Sequence, residues 1–319
     1  MQNQLIVSVS PHLHAKEDTA NIMWQVALAL APAGVAGIWL FGMPALKVII
    51  ISITSCLLFE LIIQKLRHTK ITIFDGSAFL TGLLLAYNLP SQVPFWIPIL
   101  GSIFAILITK HTFGGLGKNI FNPALAARVF LLVSFAKYLT RFTQPIRNIG
   151  EASYDTVTQA TPLMAFKETN SIAISNWNLF LGNHAGSLGE VCIIALLIGA
   201  IFLLVRKIIS WHIPISFILS VALLDLLTKQ NILFNILAGG LILGAFFMAT
   251  DYVTSPLTNK GKIIFGIGCG VITFVIRKWG GYPEGVSFSI LIMNAAVPII
   301  DRYATPRRYG IVKSLKSKV

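Results

Sequence analysis

Val191–Cys192–Ile193–Ile194–Ala195–Leu196–Leu197–Ile198–Gly199–Ala200–Ile201–Phe202–Leu203–Leu204–Val205 runs for fifteen residues without a charge and stops at Arg206–Lys207. An apolar helix closed by a cation pair is the pattern of a segment that enters lipid and leaves on the side where basic residues collect. The whole chain repeats it. Over 319 residues, 55% are hydrophobic and 12% charged, with a mean hydropathy of +0.77. A soluble domain carries about 25% charged residues, so this chain has too little polar surface to cover a core in water. That excludes a soluble fold.

Working outward from residues 188–205, nine more apolar stretches are long enough to read as spans. They are 22–42, 44–63, 73–89, 94–109, 119–137, 211–228, 231–249, 262–276 and 285–300. The third, fifth, eighth and tenth are short or interrupted by Gly and Pro. One long polar segment, 138–187, separates the fifth span from the sixth. The expected organisation is a segment at 1–21, five helices over 22–137, a loop over 138–187, five helices over 188–301 and a basic tail over 302–319. The first 20 residues are polar and lack the order of a cleavable signal peptide, so insertion is expected to rely on the first span.

The net charge of +13 does not point to nucleic acid. The cations lie in short clusters between apolar runs rather than along one face, which marks topology and contact with anionic membrane lipid. If both termini are cytoplasmic, that side holds Lys16, Lys65, Arg67, Lys70, Lys110, Lys118, Arg206, Lys207, Lys260, Lys262, Arg302, Arg307, Arg308, Lys313, Lys316 and Lys318, sixteen of twenty-five. The short loops opposite hold four, namely Lys47, Lys229, Arg277 and Lys278. The imbalance predicts both termini inside and the 138–187 loop outside.

Two halves of the chain share a faint pattern. Gly82–Leu83–Leu84–Leu85, a span, Lys110 and Gly114–Gly115 match Gly240–Leu241–Ile242–Leu243, a span, Arg277–Lys278 and Gly280–Gly281. Five spans per half is an odd number, so such halves are inverted relative to each other. Chance pairing of glycines explains the pattern as well. The fold class expected is all-α, about ten transmembrane helices in two inverted five-helix repeats, with broken helices of the kind that surround ligand sites near the midplane.

Polar groups within spans are costly and mark function. The richest stretch is Phe113–Gly114–Gly115–Leu116–Gly117–Lys118–Asn119–Ile120–Phe121–Asn122–Pro123–Ala124, followed by Arg128. Gly115 permits close backbone approach, Asn119 and Asn122 are spaced for one helical face, and Arg128 brings a cation into the span. The bland alternative is a glycine-lined packing contact with Arg128 snorkelling or pairing an acid. Asp75, Glu190 and Asp251 stand at span ends and Asp225 inside a span; each is a candidate for an ion path, or a cap or ion-pair partner. Cys56, Cys192 and Cys269 are scattered through apolar runs and form no metal-binding set. No catalytic residue or metal site is read from the chain.

Asp155–Thr156–Val157–Thr158–Gln159–Ala160–Thr161–Pro162 is, by itself, a Thr-rich loop. Its Asp-x-x-Thr-x-Ala-Thr pattern resembles the recognition site of bacterial flavin transferases. Around it the chain resembles the D subunit of Rnf-type electron-transport complexes and, more distantly, the B subunit of the sodium-translocating NADH:quinone reductase. The matching segments include Asp75–Gly76–Ser77–Ala78, Gly114 to Ala124, Gly186–Ser187–Leu188–Gly189–Glu190, Met248–Ala249–Thr250–Asp251, Gly280–Gly281–Tyr282–Pro283–Glu284–Gly285 and Asp301–Arg302–Tyr303. One position departs, with Gln159 where such flavin sites usually carry Gly.

The resemblance implies a bacterial inner-membrane subunit, one of a six-subunit-type complex, that relays electrons coupled to Na⁺ or H⁺ transport. It implies FMN joined to Thr161 by a flavin transferase that reads Asp155 and Thr158, and a second, non-covalent flavin, riboflavin, among the helices. Outside that family, a solute transporter or channel of inverted-repeat architecture, or a flavin-free scaffold subunit, fits the same residues.

Overall fold

The computed structural model describes residues 18–145, 158–169, 171, 174–282 and 284–304. Four helices are long and apolar enough to cross a membrane: α1 (Thr19–Phe41), α2 (Met43–Leu66), α13 (Asn259–Trp279) and α14 (Val286–Ala304). At about 1.5 Å per residue they reach roughly 28 to 36 Å, the thickness of a hydrocarbon core. The chain is a multi-pass membrane protein. Gly42, with φ of 69°, joins α1 to α2 and donates its N–H to Ile38 O at 2.7 Å; its positive φ ends α1 in a turn that a side chain would strain.

Of the remaining apolar stretches, the third, fifth and sixth are helical over fewer residues than the sequence suggested, and the eighth is broken. The third span reduces to α3 (Ser77–Tyr87) and the fifth to α5 (Pro123–Ser134). The sixth keeps α9 (Ile193–Val205) and the seventh is α10 (His212–Leu227). The fourth is one rod of two windings, α4 (Trp96–Ile103) continuing as a π-helix over Phe104–His111. The eighth breaks into α11 (Ile232–Leu237) and α12 (Leu241–Leu243), the latter running on as a π-helix over Gly244–Met248.

Residues 188–192 and 119–122, expected within helices, are unwound. Gly82 and Gly240, paired by the sequence pattern, also act differently. Gly240 (φ 66°) opens α12, whereas Gly82 sits inside α3, where a Cβ would lie 2.8 Å from Ile53 Cα. The glycine that opens α3 is Gly76 (φ 77°).

Small residues bring the helices together, as expected where lipid supplies no hydrophobic drive between them. On α13, a Cβ at Gly266 or Gly270 would overlap the hydroxyls of Ser216 and Ser220 on α10. At Gly199 of α9 it would overlap Ala29 O of α1.

The 138–187 region is more than a polar flap. It carries α7 (Pro162–Thr169) and α8 (Asn176–Leu181), after the single turn α6 (Ala136–Leu139). A two-residue antiparallel ladder pairs β1 (Phe142–Thr143) with β2 (Thr158–Gln159), Phe142 opposite Gln159. Leu163 and Leu179 bury against Phe234 and Ala238 of the broken eighth span, so the loop is docked onto the helices.

Candidate functional site

The break between α11 and α12 exposes carbonyls that no helix satisfies. Arg277 collects them: its guanidinium donates to Asn235 O, to Ala238 O at 3.0 Å and to Gly239 O at 3.3 Å. Next to the break, Glu190 Oε2 would lie 2.6 Å from a Cβ at Gly240, and Glu190 Oε1 accepts the Ser187 N–H at 3.0 Å. Asp225, 1% exposed, lies within electrostatic reach of Arg277, and its Oδ2 has no hydrogen-bond partner among the described residues. A buried carboxylate oxygen without a partner is costly.

A second knot joins three elements. Asn122 caps α5, accepting from Ala124 N at 3.1 Å and Leu125 N at 3.3 Å, while its amide donates to Met248 O at 3.3 Å. With the Asn294 amide turned to match its neighbours, its oxygen accepts the Asn122 N–H at 3.2 Å and its NH₂ donates to Thr254 O at 3.0 Å. Further along α5, Arg128 donates to Asn88 Oδ1 at 2.7 Å and Ser287 Oγ at 3.1 Å, and pairs with Glu284. At 8% exposure Arg128 does not snorkel; its charge is neutralised in place.

A cavity of about 80 Å³ opens between α1, α3, the start of α5 and the π-helical turn at 244–248. Leu80, Leu84, Phe246 and Phe247 give it apolar walls, and Asn119, Asn122, Thr250 and Asp251 are among its polar ones. The glycine stretch forms its lip: Gly114, Gly115 and Gly117 have φ of 114°, 94° and 85°, and Leu116 between them faces the cavity. Asn119 and Asn122 reach this cavity without sharing a helical face. The expected helix over 119–122 is absent because Pro123 starts α5, and Asn119 donates to Phe121 O at 3.1 Å instead.

At the cavity's side stands a cluster that sequence reasoning missed. Glu60, 2% exposed on α2, accepts from Lys110 Nζ at 2.9 Å on both oxygens, and His111 Nε2 lies 3.2 Å from Oε1. Lys110 also donates to Ser77 Oγ at 2.8 Å, and the Ser77 hydroxyl donates to Asp75 Oδ1 at 2.7 Å. The available signal was Glu60 itself, an acid within an apolar run.

The four acids proposed from sequence therefore separate. Asp75 caps α3 beside Lys110, and Asp251 lines the cavity, accepting from Val253 N at 3.4 Å and Thr254 Oγ1 at 3.1 Å. Glu190 and Asp225 gather around Arg277.

In the docked loop, Thr161 is 4% exposed and its hydroxyl accepts the Met164 N–H at 3.3 Å, capping α7. The exposed, extended setting expected for it before Pro162 is not the one it occupies. Strand conformation ends at Gln159, and the preference of Pro162 for a first helical turn makes Thr161 a helix cap. Thr158 pairs through its backbone in β2, and Asp155 lies outside the described residues. His184, in the turn after α8, is buried, and burial pushes its imidazole down to about 4.

The model of the NQR2, RnfD, RnfE family matches residues 6–310, a range that holds the cavity, both charged knots and the Thr161 loop. The chain belongs to this family. Among its relatives is the D subunit of a Na⁺-translocating ferredoxin:NAD⁺ oxidoreductase complex from Acetobacterium woodii, 49% identical over 98% of this chain and 97% of the relative. The D subunit of a proton-translocating ferredoxin:NAD⁺ oxidoreductase complex from Clostridium ljungdahlii is 43% identical, covering 97% of each chain. The D subunit of an ion-translocating oxidoreductase complex from Escherichia coli is 37% identical over 95% of this chain and 98% of the relative. These relatives carry the family assignment across every element described above, including the unwound segments.

Proposed function

We propose that this protein is the D-type membrane subunit of an Rnf complex, in which it relays electrons through flavin and couples them to movement of Na⁺ or H⁺ across the bacterial inner membrane. The observation that carries this reading is the cavity. Its apolar walls, amide edge and single ammonium suit a planar ring that is greasy on its faces and polar along its rim. A flavin bound there would supply one- and two-electron chemistry; Asn119, Asn122 and Thr250 would hold its polar edge and Leu80, Leu84 and Phe246 would exclude water, once the cavity widens to admit the ring.

A second flavin, FMN in phosphoester linkage to Thr161, fits the same function. The Thr161 oxygen stands at the N-terminus of α7, where free N–H groups and the helix dipole favour a phosphate. The hydroxyl is now buried and engaged, so a flavin transferase acts before the loop docks or when it opens. Asp155 and Thr158 belong to the pattern that enzyme reads. Both termini face the cytoplasm in this reading, and the ten helical segments form two inverted halves. The other complex subunits and anionic lipid complete the assembly. Asp225 and Glu190 beside the broken α11–α12, and Asp75 and Asp251 beside the cavity, are the groups available to a moving cation.

Ultraviolet fluorescence of the denatured protein on a gel tests the covalent flavin. Thr161→Val abolishes it while the protein still assembles, and the peptide over residues 148–167 carries the mass of FMN less water. A quantitatively unmodified peptide in a strain with an active flavin transferase means that Gln159 has broken the site, and a flavin-free scaffold replaces this reading. A solute transporter of inverted-repeat architecture draws on the broken α11–α12; it requires a transported solute and leaves the gel dark.

A further inference from the structure

Lys110, the ammonium of the cavity wall, forms a buried pair with Glu60. Its geometry has a direction. Lys110 and Ser77 line the cavity, and Glu60 does not. Glu60, on α2 and outside the lining, holds the ammonium of Lys110, a residue of the cavity wall. All three of its protons are taken, two by Glu60 and one by Ser77, so the charge is held in one position rather than swept about on a flexible stem.

The π-helical winding of residues 104–111 lets consecutive residues, Lys110 and His111, both reach Glu60. Such windings recur at functional sites. Asp251 is the one acid among the lining residues, and its oxygens are engaged by Val253 and Thr254. A fixed positive charge in the wall of an apolar space acts at low dielectric, where its field on an occupant is far stronger than in water.

We propose that Lys110 sets the reduction potential of the flavin bound in this cavity, with its partner Glu60 limiting the effect. The inference rests on the flavin reading above. Reduction adds negative charge to the ring; a nearby ammonium binds the reduced form more tightly than the oxidised form, and a carboxylate paired with it subtracts from that preference. No bond is made or broken by Lys110, and the electron is supplied by the complex's own carriers.

The test uses the purified, assembled complex carrying Thr161→Val, so that this chain holds no covalent flavin. The acid-extractable flavin is quantified, then titrated potentiometrically by its visible absorbance. Lys110→Met is expected to weaken binding of the reduced form relative to the oxidised form about tenfold, a shift of roughly 59 mV to lower potential for one electron. Glu60→Gln shifts it the opposite way, and the two together return it towards the parent value.

If Lys110→Met does not assemble, Glu60→Gln and the double variant, which leaves no unpaired charge, decide the matter. Normal flavin content with unchanged potentials in these variants overturns the inference and leaves the pair a structural ion bridge. Absence of extractable flavin attributable to this chain in the parent overturns the flavin reading as well.

Discussion

Arg128 on α5 closes an ion pair with Glu284, 156 residues further along the chain and just ahead of α14. One guanidinium thereby ties the end of α3, through Asn88, to the start of α14, through Ser287. Removing one partner leaves an uncompensated charge in the interior. Arg128→Leu or Glu284→Leu alone should destabilise the protein by about 3–5 kcal/mol, and the double variant by clearly less than the sum. Thermal unfolding of the detergent-solubilised complex measures this, and additive losses would show that the two side chains act independently.

Arg277 is a different kind of arginine, bound to backbone. Arg277→Met frees the carbonyls of Asn235, Ala238 and Gly239 and removes the counter-charge near Asp225. Assembly should persist while ion-coupled electron transfer falls at least tenfold, assayed as NAD⁺ reduction by ferredoxin in vesicles. Wild-type coupling in this variant would reduce the break to scaffolding.

Gly270 meets Ser220 where no side chain has room. Gly270→Val should destabilise the α10–α13 pair by about 1–3 kcal/mol or more. Ser220→Gly in the same chain should recover part of the loss, read from melting temperatures and from yield of assembled complex.

His184 makes the docked loop sensitive to acid. Its folded-state value, about 4, lies below the ordinary 6.5, so the unfolded loop takes the proton first. Stability is complete above the ordinary value and is lost as pH falls from there towards 4, by about 3 kcal/mol in all at about 1.36 kcal/mol per unit. Hydrogen exchange over residues 182–192 should rise through that window, and His184→Gln should flatten the response. A rise of equal size in the variant would assign the effect to another group.

Topology follows from the basic clusters. Reporter fusions after Arg206 and at the C-terminus should read cytoplasm, and fusions near residue 170 the opposite side, because sixteen cations face four across the short loops. A cytoplasmic signal at residue 170 would reverse the orientation and remove Thr161 from the outer face.

Legibility in the sequence varies by residue. Asn122 and Arg128 announce themselves, because an amide and a cation inside an apolar run need partners wherever the run folds. Their partners do not. Asn88, Met248 and Glu284 lie 40, 126 and 156 residues away, and nothing local marks them as neighbours. Glu60 is legible by the same rule, although the glycine-rich and threonine-rich motifs overshadow it. Before Pro162, Thr161 reads as exposed and extended; the same proline, as the first residue of α7, makes it a buried cap.

The sequence by itself determined the solvent, the helical class and the family, and it marked the broken eighth span. It did not mark the unwound 119–122 and 188–192 or the continuous α14 in place of an interrupted tenth span. What it determined follows from properties each segment carries alone: apolar length, charge position, glycine and proline. Only the tertiary structure decided which charges meet. It paired Lys110 of the cavity wall with Glu60, and it set Arg277 at the broken helix and the 138–187 loop against Phe234. The physical reason is that pairing in a membrane interior depends on distances between helices, which close packing at glycines such as Gly199 and Gly270 fixes and which no stretch of chain encodes alone.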